Sequence, residues 1–375
     1  MRETILDLLS CPSCGGKLDL HVLLKAGEEI KDALLECSCG QWFPVISFVP
    51  RLLLGEYRGD YTEFLTRYSL KHLENPVETV SYPLSSNIQV QKSFGSKWTS
   101  QPSWGTVGET KSFMKDWILK KYGWEDPEAF KRSFKNRKRI LDAGTGLGRE
   151  AIELSRANKK GEVFGIELSE AVEAAYVNTK QYPNIHILQA DLMKLPFKER
   201  TFDFIFSEGV LHHTPDTKRA FQTLLKFLAH GGEMAIYLYR KKGPIRELCD
   251  DSIRQLTTKL SEIECWDFSK KMTLLGKTLS ELHVEFEIPK DIPELEVRAG
   301  RYNLQRFVYY HILKCFWNEG FTFDENNLIN FDWYHPANAH RHTAQEVKAW
   351  FQQARLRLVH LDISESGITA RGIKS

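Results

Sequence analysis

The stretch RILDAGTGLGRE, residues 139–150, constrains the fold most. An apolar run ends in Asp142, glycines follow at 144, 146 and 148, and an amphipathic helical pattern begins at once. A strand that passes into a helix through alternate glycines brings backbone N–H groups close to a ligand. Spacing decides which ligand. A loop that cradles a triphosphate needs Lys and then Ser or Thr after its last glycine. Here Gly148 is followed by Arg149 and Glu150. A dinucleotide loop needs G-x-G-x-x-G/A, with the last residue small so that helix and strand pack closely. Counted from Gly144 and Gly146, that residue is Arg149, which is too large. What remains is D-x-G-x-G-x-G.

From about residue 110, short apolar strands alternate with amphipathic helical patterns. RILDAG, EVFGIEL, IHILQAD, FDFIFSEG and EMAIYLY are the strands. Such alternation predicts a parallel sheet with helices on both faces. After Gly243 the rhythm gives way to helical, aromatic-rich sequence as far as about 328. INFDWYHP is then expected as a strand and TAQEVKAWFQQARL as a helix, opened by a capping box at Thr343 and Glu346. RLVHLDIS is expected as the last strand. The expected fold is α/β: a seven-stranded doubly wound sheet with a helical insertion, 244–328, after strand 5. Residues 1–55 read as a small separate domain and 110–375 as the main one. Between them, 56–109 read as a linker rich in turn formers, packed on the main domain through Phe94, Trp98 and Trp104.

The glycine loop resembles motif I of class I S-adenosylmethionine (SAM) methyltransferases. Glu167 ends the next strand and Asp191 the one after, in the order of that family. FDFIFSEGVLHHTPD, residues 202–216, resembles motif IV and its sequel in the ubiquinone/menaquinone-type enzymes. The resemblance implies a Rossmann-like sheet and SAM as cofactor. It implies that Asp142, Gly144, Gly146 and Gly148 hold the methionine part and that Glu167, beside Leu168, takes the ribose hydroxyls. Asp191 and the backbone N–H of Leu192 would take the adenine, and Ser207 would close the site from motif IV. Enzymes acting on adenine amino groups or glutamine amides carry an N/D-P-P-Y/F tetrad there. Ser207-Glu208-Gly209-Val210 discounts those acceptors.

Cys11 and Cys14 form C-x-x-C, and Cys37 and Cys39 form C-x-C. Without an export signal, close pairs point to metal before disulfide. Four thiolates suit a tetrahedral structural zinc. Residues 1–55 resemble the zinc-ribbon activator subunit of tRNA, rRNA and release-factor methyltransferases, including the FPV…VPRLL tail. That family has C-x-x-C in the second knuckle too; here Glu36 takes the place of its first cysteine.

The net charge of +2 over 375 residues is too small to indicate a nucleic-acid or membrane partner. No apolar run approaches the roughly 20 residues of a spanning helix, and no secretory signal is evident, so a cytoplasmic location is expected. A base for a hydroxyl or acidic-carbon acceptor should lie at the ends of strands 4 to 6, and histidine titrates in the useful range. His213 and His335 are the candidates, each with hydrogen-bonded scaffold as its alternative role. The expected activity is methyl transfer from SAM to a small molecule beneath the insertion. Two alternatives stand beside it. One is an RNA methyltransferase using the ribbon and the basic run KRSFKNRKR, residues 131–139. The other is a non-catalytic SAM-binding adaptor whose ribbon and insertion meet a protein partner.

Overall fold

The computed structural model describes residues 1–73, 84–102, 104–105 and 108–375. The chain opens with an antiparallel meander, β1 (Leu18–Ala26), β2 (Glu29–Cys37), β3 (Trp42–Ile46) and β4 (Val49–Leu52). Among the described residues four α-helices follow: α1 (Thr62–Arg67), α2 (Leu84–Ser100), α3 (Gly108–Tyr122) and α4 (Pro127–Phe134). Then come β5 (Arg139–Ala143), α5 (Arg149–Ala157), β6 (Glu162–Glu167), α6 (Val172–Thr179), β7 (Ile185–Ala190), β8 (Phe202–Glu208), α7 (Thr217–Phe227) and β9 (Leu228–Tyr239). The insertion holds α8 (Pro244–Thr257), α9 (Glu262–Glu281), a hairpin of β10 (Glu285–Ile288) and β11 (Gly300–Asn303), α10 (Leu304–His311) and α11 (Phe323–Tyr334). The chain closes with α12 (Ala344–Gln353), β12 (Leu356–Ile363) and β13 (Gly367–Lys374).

Among the described residues, the main sheet has eleven strands in the order β1-β2-β3-β4-β7-β6-β5-β8-β9-β13-β12. Six of the seven expected strands are there, as β5–β9 and β12, with β13 as the seventh of the main part; the ribbon extends them rather than standing apart. β4 pairs in parallel with β7, placing Arg51 opposite Gln189 and Leu52 opposite Ala190. Arg51 donates to the Gln189 side chain at 3.1 Å and pairs with Glu173. Phe48 stacks on Tyr176 at 5.3 Å between ring centres. One apolar core runs through the junction, with Ile5, Leu35 and Phe43 from the ribbon and Leu188 and Phe197 from the main sheet. No helix among the described residues is long and apolar enough to cross a membrane.

Three expectations are corrected. INFDWYHP is no strand: residues 329–334 belong to α11. The helix is set by the capping box of Thr322 and Glu325. It is then tied down by Asn326 and Asn330, one turn apart, whose amides bond to backbone groups of the preceding loop. The last strand is β13, not RLVHLDIS, which forms β12 beside it. Within the segment 56–109, residues 84–100 are helix α2 rather than turns; its residues 74–83, 103 and 106–107 lie outside the described ones. Tertiary contacts hold α2: Gln89 donates to the His335 carbonyl at 2.6 Å and Gln91 to the Leu168 carbonyl at 3.0 Å. Packing here outweighs weak helix propensity.

Candidate active site

β5 has β6 on one side and β8 on the other, so the strand order reverses at β5. In such sheets the crevice outside the carboxyl ends at the reversal is where ligands bind. A cavity of about 620 Å³ lies there, walled by the glycine loop, the ends of β6 to β8, α2, α3 and the insertion.

Gly144 has φ +88°, and a Cβ there would stand 2.4 Å from Val210 Cγ2. Only glycine fits both the left-handed backbone and that contact. Gly144 and Thr145 both donate backbone N–H groups to the Ile166 carbonyl, at 2.9 and 2.8 Å. Gly144 and Gly146 line the cavity, while Gly148, at φ +81°, is the N-cap of α5 behind it. Glu167 lines it too and accepts hydrogen bonds from Gly146 N at 3.0 Å, Ser169 N at 2.9 Å and Ser169 Oγ at 2.6 Å. Leu168, Asp191 and Leu192 complete that wall. Asp191 accepts from Met193 N at 2.9 Å, which fixes its carboxylate at the end of β7.

Two sequence candidates sit behind the wall. Asp142 is buried, accepts from Thr145 Oγ1 at 2.6 Å, and is pushed up to about 8 by burial and by Glu150. Ser207 donates to the Ala143 carbonyl at 3.0 Å and clamps β8 to β5. Sequence reasoning missed the roof over the loop. Trp98 of α2 lies 3.3 Å from where a Gly146 Cβ would stand. Lys97 beside it is buried and pairs with Asp332 at 3.0 Å. The aromatic Phe94 and Trp98 were visible as packing residues; an isolated lysine carries no such signal.

The two histidines part company. His213 lines the cavity, and its Nδ1 lies 2.7 Å from the Asn338 carbonyl. Its Nε2 is buried and has no hydrogen-bond partner among the described residues. Burial pushes its pKa down to about 4, against the pull of Asp332. His335 does not line the cavity. Its Nδ1 lies 2.7 Å from Ser93 Oγ and its ring stacks on Phe331, so it ties α11 to α2. The expectation of two bases narrows to His213, because the segment carrying His335 ends a helix, not a strand.

The four ribbon cysteines converge. Their Sγ atoms all lie within 4.8 Å of one another, with Cys14–Cys37 at 3.5 Å and Cys11–Cys39 at 3.8 Å. Zn–S bonds of about 2.3 Å give sulfur–sulfur edges of about 3.8 Å in a tetrahedron, so the donor set fits. Glu36 faces His21 at 2.8 Å, away from the cluster.

With this geometry in place, residues 134–293 match a protein-family model described as a methyltransferase domain. Demethylmenaquinone methyltransferase of Staphylococcus saprophyticus is 31% identical over 166 residues, 44% of this chain and 66% of that protein. Phosphoethanolamine N-methyltransferase 2 of Caenorhabditis elegans is 29% identical over 128 residues, 33% of this chain and 27% of that protein. Arsenite methyltransferase of Mus musculus is 33% identical over 109 residues, covering 26% and 29%. The chain thus spans under a third of the length of the last two. A solved SAM-dependent methyltransferase from Aquifex aeolicus superposes with a TM-score of 0.36 at 16% identity, covering 69% of this chain and 93% of that one. Residues 134–293 thus form a methyltransferase domain. Its sequence is similar to menaquinone-type enzymes among others.

Glu208 ends β8, lines the cavity and accepts a hydrogen bond from the Tyr122 hydroxyl. Burial, then Glu150 and Asp142, push its carboxyl from 4.5 up to about 8, against that hydrogen bond. Between those values the folded chain holds a proton that the unfolded chain has lost, so this group makes stability fall as pH rises from 4.5 to 8. Glu208→Gln removes the titration and leaves the other groups in place. The stability of the wild type relative to Glu208→Gln should therefore fall across that window in denaturant unfolding. A difference that does not change with pH contradicts the buried, protonated carboxyl.

Proposed function

We propose that this chain transfers the methyl group of SAM to a small-molecule acceptor held between the strand ends and the insertion. The observation that carries this is one continuous cavity lined both by Gly144 and Glu167 and by Tyr309 and Phe316 of the insertion. Methyl transfer is an in-line displacement, and its main requirements are proximity, alignment and exclusion of water. SAM supplies a methyl group on a sulfonium that departs as a neutral thioether. In line with the resemblance, Glu167 takes the ribose hydroxyls and Asp191 and the Leu192 N–H take the adenine, while Asp142, behind the wall, holds Thr145 of the glycine loop in place. With the proton on Nδ1 donated to Asn338, His213 keeps the Nε2 lone pair for a proton from the acceptor. Burial keeps that imidazole neutral at physiological pH. Relatives named for demethylmenaquinone, phosphoethanolamine and arsenite support a small acceptor, and so does the aromatic wall.

Incubation with methyl-labelled SAM and fractionated cell extract should place label in small metabolites. Label entering RNA or protein instead contradicts this assignment. His213→Ala should lower turnover by about 10²–10⁴, the range for a lost general base, with SAM affinity unchanged and His335→Ala near the wild type. If His213→Ala keeps full turnover, that histidine is scaffold and alignment alone carries the reaction.

We further propose that Cys11, Cys14, Cys37 and Cys39 hold one structural zinc, supported by the closeness of their four sulfurs. Metal analysis should find about one zinc per chain, as for a single four-thiolate site. An unchanged metal content in Cys11→Ser with Cys14→Ser would put the metal elsewhere.

A further inference from the structure

The two ends of the cavity differ in charge. Glu150, Glu167, Asp191 and the protonated Glu208 line the strand-end half, and the cations there are each paired: Arg149 with Glu150, Lys97 with Asp332 and Lys121 with Asp362. Lys242, Arg246, Arg306 and Lys314 line the insertion half. Three of them gather around shared rings, and Lys242 lies over a neighbouring one. Arg246 Cζ and Lys314 Nζ lie 5.6 and 5.3 Å from the Tyr309 ring centre, and 5.3 and 5.2 Å from that of Trp333. Arg306 Cζ and Lys314 Nζ lie 5.8 and 5.7 Å from the Phe316 ring. Lys242 Nζ is 5.8 Å from the Tyr310 ring.

The nearby carboxylates do not balance them. Asp250 pairs with Arg246 at 2.8 Å, and Asp332 is taken by Lys97 at 3.0 Å. Glu365 lines the same wall but forms no ion pair with a described residue; Lys242 meets its backbone carbonyl instead. Lys314 is 7% exposed and forms no ion pair with any described carboxylate. Its ammonium reaches the Tyr309 hydroxyl at 3.4 Å, and three aromatic faces surround it. Burial, and after it the Arg246 charge, push Lys242 and Lys314 each down to about 7. Crowding buried like charges is costly, and it is tolerated where a ligand brings the counter-charge.

We propose that the acceptor is an acidic molecule whose anionic group, a carboxylate or a phosphate, is bound by Lys314 with Arg306 and Lys242 at the insertion end of the cavity. The proposal rests on this cavity being the acceptor site. Rings at Tyr309, Phe316 and Trp333 suit a flat apolar body on the same molecule. The anion then anchors the end of the acceptor farthest from the strand-end carboxylates, and the reacting atom lies toward His213.

The test uses the full chain loaded with S-adenosylhomocysteine, titrated by calorimetry with 2-naphthoate, 2-naphthyl phosphate and neutral 2-naphthamide. At least one of the two anions should bind about tenfold or more tightly than the amide, the scale of a charge-assisted contact. The better anion tells carboxylate from phosphate. Lys314→Met should abolish the preference and Lys314→Arg should retain it, with S-adenosylhomocysteine affinity as the check on folding. Should Lys314→Met not fold, Arg306→Gln, a half-buried position, should still reduce the preference. The amide binding as well as both anions, or none of the three binding, overturns the proposal. No turnover is read here, so a failure of the methyltransferase assignment would show separately, as absence of label transfer.

Discussion

The closure of the glycine loop onto β6 is the contact on which the site depends. Two consecutive N–H groups, of Gly144 and Thr145, share the Ile166 carbonyl, and the next donor, Gly146 N, reaches the Glu167 carboxylate. Three donors in a row thereby fix the end of β5 against the end of β6. This is possible because Gly144 carries no Cβ where Val210 presses from the loop after β8. The strand order reverses at that point, so the same contacts hold open the crevice in which ligands bind.

Around this fixed floor, the walls come from distant parts of the chain. α2 covers the loop with Trp98 and sends Lys97 to Asp332 of the insertion. The insertion returns Tyr309, Phe316 and Trp333, and with them the cations of its half. The ribbon adjoins from the other side, with β4 paired against the end of β7, next to Asp191. A zinc-like cysteine cluster and a cofactor crevice are thus parts of one continuous sheet. The cations of the strand-end half are paired with carboxylates, whereas Lys314 and Arg306 in the insertion half form no ion pair with a described residue.

What could be read in advance follows from where local signals dominate. β5 to β9 are apolar runs bounded by turn formers and acids, so both their existence and their order were legible. The glycine spacing and the acids at 167 and 191 were legible for the same reason, since they stand at strand ends. Residues 329–334 were misread because Ile, Phe, Trp and Tyr favour strands, while the deciding capping box and the two asparagine anchors act through the loop before them. β13 was missed because Gly367 and Gly372 interrupt its alternation; each packs a bare Cα against a ring, of Tyr237 and of Phe351. α2 was hidden by its Ser, Gly and Asn content, because contacts far away in sequence hold it. Nor could spacing alone separate His213 from His335, or single out Lys314: each depends on which side of a helix or loop meets the cavity.

The central claim is that the crevice formed by the glycine loop and Glu167 binds SAM rather than a dinucleotide. Calorimetric titration of the ligand-free chain with S-adenosylhomocysteine, SAM and NAD tests it most directly. The first two should bind and NAD should not, and Glu167→Ala should weaken S-adenosylhomocysteine by about 1–3 kcal/mol, the loss of a charge-assisted hydrogen-bond acceptor. NAD binding, or an affinity for S-adenosylhomocysteine that Glu167→Ala leaves unchanged, would contradict it.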